Sequence, residues 1–488
     1  MNPAQLNPST AQALDHKRPL VVDLDGTLIH TDMLHESVLR LLRDRPHLIF
    51  AIPFWLLSGR ANLKQKLASY VKLDIPSLPF NDELIVWLKL QKSQGRKLIL
   101  CTASDLSIAK ELAQYIGIFD EVLASDGQQN LAGHHKANTL VEKYGHNGFD
   151  YVGNSAADLF VWDKAQQGIV VNGSPNLANK ASARTAVELV MFKAKNNFKT
   201  WIKALRLHQW IKNLLIFVPI LAAHQAITLV IGIHLLLAFF AFGLCASSVY
   251  IANDLLDLES DRQHPRKRFR PFASGQVAIW KGVLLAPLLL AASVLIANYV
   301  DAKFLTWLMI YFGVTCAYSW ALKRWVLVDC LTLAILYTLR IVAGAAAVNV
   351  PLSFWLLAFS IFLFLSLAFI KRYAELLVHQ GNDVEKALGR GYYTGDAPLI
   401  EQLGVTSGYA ATLVLALYLN SENVSKLYQT PEIIWGAVPL MLLWLSWMWL
   451  KTHRGLMHDD PIVFAIKDKI SILIGFLFVS TFILARVW

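Results

Sequence analysis

The hydrophobic pattern changes character once along the chain. Up to about residue 188 the apolar residues fall in short runs between longer mixed stretches. Residues 20–25 (Leu-Val-Val-Asp-Leu-Asp), 97–102 and 149–153 each read as a buried strand, and 165–171 as a helix end running into a fourth. Short β-branched runs alternating with helical stretches predict βα units and a parallel sheet. Residues 30–95 lack such runs and predict a helical insert. Inside it, 48–57 is apolar, but it is too short and too proline-interrupted to cross a bilayer, which leaves an insert or an interfacial contact.

Beyond a basic stretch (Lys193, Lys195, Lys199, Lys203, Arg206) the apolar runs lengthen to bilayer dimensions. Nine candidate spans lie near 211–228, 229–251, 282–300, 303–322, 327–348, 352–370, 405–420, 432–450 and 470–487. The first is the weakest, because Lys212 and Asn213 stand at its start. The pattern therefore predicts a soluble, Rossmann-like α/β domain over 1–190 with a helical cap at about 30–95. A linker or interfacial helix follows at 191–208, and then an all-α polytopic membrane bundle over 209–488.

Composition narrows the class further. With 488 residues, 55% hydrophobic and 16% charged, and a mean hydropathy of +0.43, the chain is too apolar for a soluble enzyme and too mixed to be membrane throughout. The apolar excess excludes a disordered or fibrous chain. Cys101, Cys245, Cys316 and Cys330 stand far apart and indicate neither a disulfide framework nor a zinc site. The opening twenty residues hold no apolar core run, so no cleavable signal peptide is expected.

The net charge of +10 is explained by where the charges sit. With 1–205 inside, the inner loops 252–281, 323–326, 371–404 and 451–469 carry sixteen Lys or Arg. The outer loops and chain end carry three (Lys303, Lys426, Arg486). That bias predicts a multi-pass protein of a bacterial-type cytoplasmic (inner) membrane, with the N-terminal domain cytoplasmic and the C-terminus outside. The positive charge is spent on orientation and anion binding, and no nucleic acid is needed to account for it.

Two constellations carry chemistry. In the first, Asp23 and Asp25 follow a strand and turn through Gly26-Thr27. Two carboxylates two residues apart can divide the work, one attacking phosphorus and holding Mg²⁺, the other moving a proton. Thr102, Lys136 and the run Gly153-Asn-Ser-Ala-Ala-Asp158 follow in order. This set resembles the four motifs of the haloacid dehalogenase superfamily over about 19–185. The resemblance implies Asp23 as nucleophile, Asp25 as acid/base, Thr102 on the phosphoryl group and Lys136 neutralising it. Asp158 would help Asp23 and Asp25 hold Mg²⁺, and 30–95 would be the cap. The second Asp favours a phosphatase within that superfamily. The last motif usually opens Gly-Asp, and Asn154 here is a weaker Mg²⁺ ligand.

In the second, Asp254, Asp257 and Asp261 are spaced to share one helix face and would repel one another without a divalent cation between them. The cationic run Arg262 to Arg270, with Lys267, follows at once, as a diphosphate would require. The Asn-Asp-x-x-Asp-x-x-x-Asp-Arg block, followed by many spans, resembles the UbiA superfamily of intramembrane prenyltransferases over 200–488. That implies Mg²⁺-diphosphate chemistry at the cytoplasmic mouth of a helical bundle. The second acidic cluster of aromatic-acceptor members is missing; Lys371 and Arg372 stand where it is expected. His208-Gln-Trp-Ile-Lys212-Asn213, His264 to Gly275 and Tyr337-Thr-Leu-Arg340 resemble the decaprenyl-phosphate phosphoribosyltransferase branch. The implied donor is phosphoribosyl pyrophosphate and the implied acceptor a polyprenyl phosphate. Asp254, Asp257 and Asp261 would hold metal, with Arg262, Lys267 and Arg270 on the pyrophosphate. Lys212, Arg340, Lys371 and Arg372 would hold the lipid phosphate.

On this reading the chain is a bifunctional membrane enzyme, Mg²⁺-dependent in both domains. One half transfers 5-phosphoribose to the lipid and the other removes the 5-phosphate. A homo-oligomer is compatible with it. The alternative is prenyl transfer from a prenyl diphosphate to an aromatic or quinone-precursor acceptor beside an unrelated phosphatase, which predicts the absent second acidic cluster. A lipid-phosphate transporter predicts repeat symmetry that the sequence lacks. A phosphatase merely anchored by the spans leaves the three aspartates unexplained. Trp201, Trp210, Trp280, Trp320 and Trp325 read as interfacial anchors, and Gly344 as helix packing. Asp329 reads as a helix cap or donor contact, and Asp459, Asp460 and Asp468 as donor contacts or solvated loop residues.

Overall fold

The structure, a computed structural model, describes residues 18–192, 197–223, 225–380, 390–421, 424, 428–457 and 460–487. It forms two compact units, Met1–Leu205 with Ile251–Leu285, and Arg206–Tyr250 with Ala286–Trp488.

The first unit is built on a six-stranded sheet of β1 (Leu20–Val22), β2 (Leu98–Asp105), β3 (Glu121–Ser125), β4 (Asp150–Gly153), β5 (Gln167–Gly173) and β6 (Ala186–Phe192). All pairings are parallel, in the order β3-β2-β1-β4-β5-β6. This is the expected Rossmann-like α/β architecture. The sequence indicated four strands, and the two it missed, β3 and β6, are the sheet edges. Edge strands are only half covered and lack the continuous apolar run by which a buried parallel strand is read.

Alternation places Leu20 and Val22 on one sheet face and Val21 on the other. The first face packs on Leu84 and Leu88 of helix Asp82–Ser93 and on Leu112 of Leu106–Ile116. The second packs on Leu140, Trp162 and Ala178. Helices Met33–Asp44 and Arg60–Tyr70 join through their own small core of Leu41, Leu63 and Leu67, which makes the cap. The order reverses between β1 and β4, and ligands of such sheets bind at the carboxyl ends of the strands flanking that point. Asp23, Thr102 and Asn154 all lie there.

In the second unit the apolar runs form helices. Among the described residues, seven in the whole chain are long and apolar enough to cross a membrane: Leu229–Leu256, Ile279–Val300, Val328–Ala347, Phe354–Val378, Thr394–Leu419, Pro431–His453 and Lys469–Arg486. The chain is thus a multi-pass membrane protein, with seven such helices rather than the nine spans expected. The run at 211–228 becomes a 3-10 helix, Leu207–Phe217, and a short α-helix, Val218–Ala222, because Lys212 and Asn213 turn inward. The run at 303–322 does form helix Ala302–Trp320. Lys303, Thr306, Thr315 and Ser319 leave it less apolar than the seven. Val328–Ala347 is the most enclosed span, and Gly344 explains part of that. A Cβ there would lie 2.1 Å from the Ile216 carbonyl oxygen, so only glycine admits the close approach.

Candidate functional site

In the first unit Asp23 leaves the end of β1, and the chain turns at Gly26 with φ of +76°. A side chain at Gly26 is excluded twice, by that φ and by the Asn154 amide, whose Nδ2 would be 2.0 Å from a Cβ. Asp23 accepts from Lys136 Nζ at 2.5 Å and from the Thr27 hydroxyl at 3.3 Å. Asp25 accepts from the Met33 amide at 2.8 Å, the Ser104 hydroxyl at 2.7 Å and the Thr102 hydroxyl at 3.5 Å. The predicted Asp23, Asp25, Thr102 and Lys136 therefore meet in one buried site.

Burial raises the Asp23 carboxyl to about 7 against the pull of Lys136, with Asp158 and Asp25 pushing the same way as burial. Burial and then Asp32 raise Asp25 to about 6, a value suited to a group that must give and take a proton near neutrality. Lys64 of the cap, which donates to the Ala103 carbonyl at 2.6 Å and to Asn130 at 3.0 Å, is a further cation facing Asp25. The sequence reading missed both Ser104 and Lys64. Ser104 stands two residues beyond Thr102, on the same side of its strand, and that spacing was its available signal.

Asp158 needs correction. Its Oδ1 accepts the Tyr151 hydroxyl at 2.7 Å. Its Oδ2 accepts the amides of Asn154 (3.0 Å) and Ser155 (2.9 Å) and the Ser155 hydroxyl (2.8 Å). A carboxylate with four donors has little lone-pair capacity left for a metal. Asp158 instead fixes the loop that carries Asn154. The site still suits a divalent cation: burial first, and then the neighbouring Asp158 and Asp25, hold the Asp23 carboxyl up in spite of Lys136, and a metal ion would offset both.

The acidic segment of this unit leaves helix Leu229–Leu256, breaks at Asp257 and resumes as Leu258–Gln263. Helical hydrogen bonds continue across the break, Asp257 amide to Asn253 carbonyl (2.9 Å) and Asp261 amide to Asp257 carbonyl (2.8 Å). Asp254 and Asp261 are buried and both reach Arg270, at 3.2 and 2.5 Å. Among the described residues no three His, Cys, Asp or Glu side chains form a ready metal cluster. Magnesium is commonly held by one or two protein carboxylates together with substrate phosphates, and Asp254 with Asp261 supplies that pair. Arg262, expected on pyrophosphate, turns instead to Glu36 of the cap (3.2 and 2.6 Å) and to the Ala273 carbonyl (3.0 Å). Lys267 lies exposed in the 3-10 turn Lys267–Phe269.

In the second unit Lys212 and Lys371 gather around Asp460, and Arg340 lies with Lys212 over the Tyr337 ring (5.6 and 5.3 Å). Lys212 donates to Asp460 at 2.7 Å, Tyr337 hydroxyl at 3.3 Å, and Lys371 Nζ lies 3.9 Å away. Burial raises the Asp460 carboxyl, but Lys212 and Lys371 outweigh it and hold the group at about 2. Arg340 is buried, with only neutral hydrogen-bond partners: Asn213 Oδ1 (3.1 Å), the Leu336 carbonyl (2.6 Å) and the Tyr311 hydroxyl (2.8 Å). The Asn213 Nδ2 beside it is buried and finds no acceptor among the described residues. Two cations on one acid, with Arg340 and an orphan donor close by, leave this cluster short of an anion.

Arg372 does not belong to this group. It is fully buried against Asp329 and Glu375, and Asp329 also accepts from Tyr392 and Arg390. Asp329 and Arg372 are therefore engaged with each other in an ion-pair network, apart from the cations at Asp460. Of the three loop acids left open, Asp460 is the functional candidate. Asp468 bonds Trp447 and the Ser471 amide, and Asp459 lies outside the described residues.

The chain is a polytopic helical protein with buried carboxylates and with cations near the ends of its helices. The profile of the UbiA prenyltransferase family matches residues 214–483, and the chain belongs to that family. An uncharacterized protein of Sinorhizobium fredii is 38% identical over 96% of this chain and 92% of its own length. The nodulation protein NoeC of Azorhizobium caulinodans is 35% identical over 57% of this chain and 91% of its own. The decaprenyl-phosphate phosphoribosyltransferase of Mycobacterium tuberculosis is 36% identical over 57% of this chain and 92% of its own.

Proposed function

We propose that the chain is a bifunctional enzyme. Its membrane half transfers 5-phosphoribose from phosphoribosyl pyrophosphate to a polyprenyl phosphate, and its haloacid dehalogenase-like half removes the 5-phosphate to give polyprenylphosphoryl ribose. The observation that carries this is the pair Lys212 and Lys371 on Asp460, with Arg340 across the Tyr337 ring and the orphan Asn213 amide beside it. It suits the doubly charged phosphate monoester of a lipid better than an aromatic acid with a single negative charge. The relatives named as decaprenyl-phosphate phosphoribosyltransferases support phosphoribosyl transfer to a polyprenyl phosphate.

In the transfer, a lipid phosphate oxygen bonds to the anomeric carbon of ribose. The bond from that carbon to pyrophosphate breaks, and its electron pair leaves with pyrophosphate. Lys212, Lys371 and Arg340 hold the lipid phosphate and orient its oxygen. Asp254, Asp257 and Asp261 serve the donor's pyrophosphate, aided by Lys267 and Arg270. Mg²⁺ supplies charge neutralisation at both sites when bound. In the soluble half Asp23 attacks phosphorus while Asp25 gives its proton to the departing ribose oxygen. Asp25 then takes a proton from the water that frees phosphate. Lys136 offsets charge on Asp23 and the phosphoryl group, and Thr102 and Ser104 orient Asp25. Both activities belong on the cytoplasmic side of a bacterial inner membrane.

The test uses purified protein with Mg²⁺, polyprenyl phosphate and radiolabelled phosphoribosyl pyrophosphate, following label into lipid. Incorporation lost in Asp257→Asn supports the transfer, and a product that keeps its 5-phosphate only in Asp23→Asn supports the phosphatase. Label moving instead from a prenyl diphosphate to an aromatic acid would refute the reading.

A further inference from the structure

Residues 48–57 read Leu-Ile-Phe-Ala-Ile-Pro-Phe-Trp-Leu-Leu, with no polar side chain. They fold as the 3-10 helix Pro46–Ala51 and the short helix Ile52–Leu57 at the outer edge of the cap. The inner side of this knob is firmly seated. Leu48, Ile52 and Trp55 pack against Leu41, Leu63 and Leu67. Trp55 stacks on Tyr70 with centroids 5.4 Å apart, and Arg45 covers the same Tyr70 ring.

The outer side is apolar as well. Phe50 is 78% exposed, Phe54 70%, Leu57 86% and Leu56 49%. A cap helix working in water carries polar residues on that side. Scattered exposed apolar residues are ordinary; four large ones within eight positions, on a rigid support, mark an interaction surface.

The flanks identify the partner. Arg45 and His47 precede the knob and Arg60 and Lys66 follow it, all exposed, while Arg43 is engaged by Glu259 at 3.5 Å. The acid among them, Asp44, is held by Arg40 at 2.6 Å. An apolar tip inside a basic collar matches a bilayer interface, where acyl chains take the tip and anionic headgroups the collar. Ten residues are too few to span, so the contact is interfacial.

We propose that Phe50, Phe54 and Leu57 of the cap insert into the headgroup–acyl boundary of a bilayer containing anionic lipid. This docking presents the Asp23–Asp25 site to a phosphate ester carried on a membrane lipid, a substrate class that rests on the phosphatase reading above.

The test uses the full chain in nanodiscs containing phosphatidylglycerol. Phe54→Cys in a Cys316→Ser background carries an environment-sensitive NBD label, with Ser69→Cys as the polar control. Emission at position 54 should shift to the blue and be quenched by doxyl groups near the lipid headgroup, while position 69 stays water-like. Water-like emission at 54 overturns insertion. So does a blue shift that lipid-borne quencher leaves untouched, because protein then covers the knob. The double variant Phe54→Asp/Leu57→Asp should lose hydrolysis of a long-chain lipid phosphate ester in vesicles and keep hydrolysis of p-nitrophenyl phosphate. Equal loss on both overturns the presentation of a lipid substrate. Unaltered protein that hydrolyses neither ester refutes the phosphatase reading, and presentation with it, while the fluorescence result still decides insertion.

Discussion

Glu36 and Arg262 offer the sharpest energetic test of how the acidic segment is held. Arg262 forks onto Glu36, and the two side chains are 6% and 7% exposed. Replacing Glu36 by Ala leaves a buried guanidinium with the Ala273 carbonyl at 3.0 Å as its remaining acceptor among these contacts. Breaking a buried pair from one side costs roughly 3–5 kcal/mol, and that surviving bond argues for the lower end. At 1.36 kcal/mol per tenfold, about 3 kcal/mol corresponds to roughly a 150-fold rise in local opening. Amide hydrogen exchange on the intact protein in nanodiscs, read over 33–44 and 258–263, measures it. The double variant Glu36→Leu/Arg262→Met removes both charges and should restore most of the protection, since an apolar pair of similar volume replaces a buried ion pair at little cost. Unchanged exchange in Glu36→Ala, or a double variant as exposed as the two singles combined, would refute the coupling.

Lys136→Met removes the cation 2.5 Å from Asp23. It should lower p-nitrophenyl phosphate hydrolysis by about 100-fold or more while leaving label transfer to lipid intact. Arg340→Lys keeps the charge but loses the fork that joins Asn213 to Tyr311. The KM for polyprenyl phosphate should rise by roughly tenfold or more with kcat less affected, because lysine cannot reproduce the planar donor set. The Asp460 carboxyl titrates near 2 in the folded protein, below its ordinary value. A depressed folded value stabilises above the unfolded one, so about 2 kcal/mol should be lost as pH falls from about 4 to about 2. Unfolding midpoints followed over that range should slope for the unaltered protein and be flatter for Asp460→Asn.

The parts legible in the sequence were those whose chemistry is concentrated in a short segment. Asp23 and Asp25 announce a strand-end site because two acids follow an apolar strand directly. Lys212 and Arg340 stand out because cations are costly among apolar spans. What stayed hidden depends on contacts between distant segments. Asp460 reads as one more loop acid until folding sets it beside Lys212 and Lys371. Arg262 reads as a phosphate ligand until Glu36 claims it, and Arg372 until Asp329 does. Asp158 carries a matching motif position, yet its oxygens are taken by Tyr151 of β4 and by its own loop, which spacing alone does not reveal. The edge strands β3 and β6 escaped because their half-exposed residues blur the strand pattern.

The soluble part and the acidic segment also depend on each other physically. Asp25 accepts the Met33 amide, Glu36 lies one helical turn further on, and Glu36 holds Arg262, whose neighbour Asp261 bonds Arg270. Glu259 is paired with Arg40 and Arg43, and Gln263 with Asp74. Leu39, Leu73 and Leu78 line a cleft together with Leu255 and Leu258. Expressing 206–488 alone would expose Leu255 and Leu258 at roughly 1.5–3 kcal/mol each; the freed charges would be solvated, so they add little. The segment carrying Asp254 and Asp261 would then be held less firmly. Transfer should fall chiefly through a higher KM for phosphoribosyl pyrophosphate. The full chain with Asp23→Asn separates support from chemistry, because it keeps every one of these contacts while its phosphatase site is disabled. Normal transfer by that variant, with impaired transfer by 206–488, is the expected pair of results. Equal kcat/KM for the two would mean that the cap does not hold the segment in a way that matters for transfer.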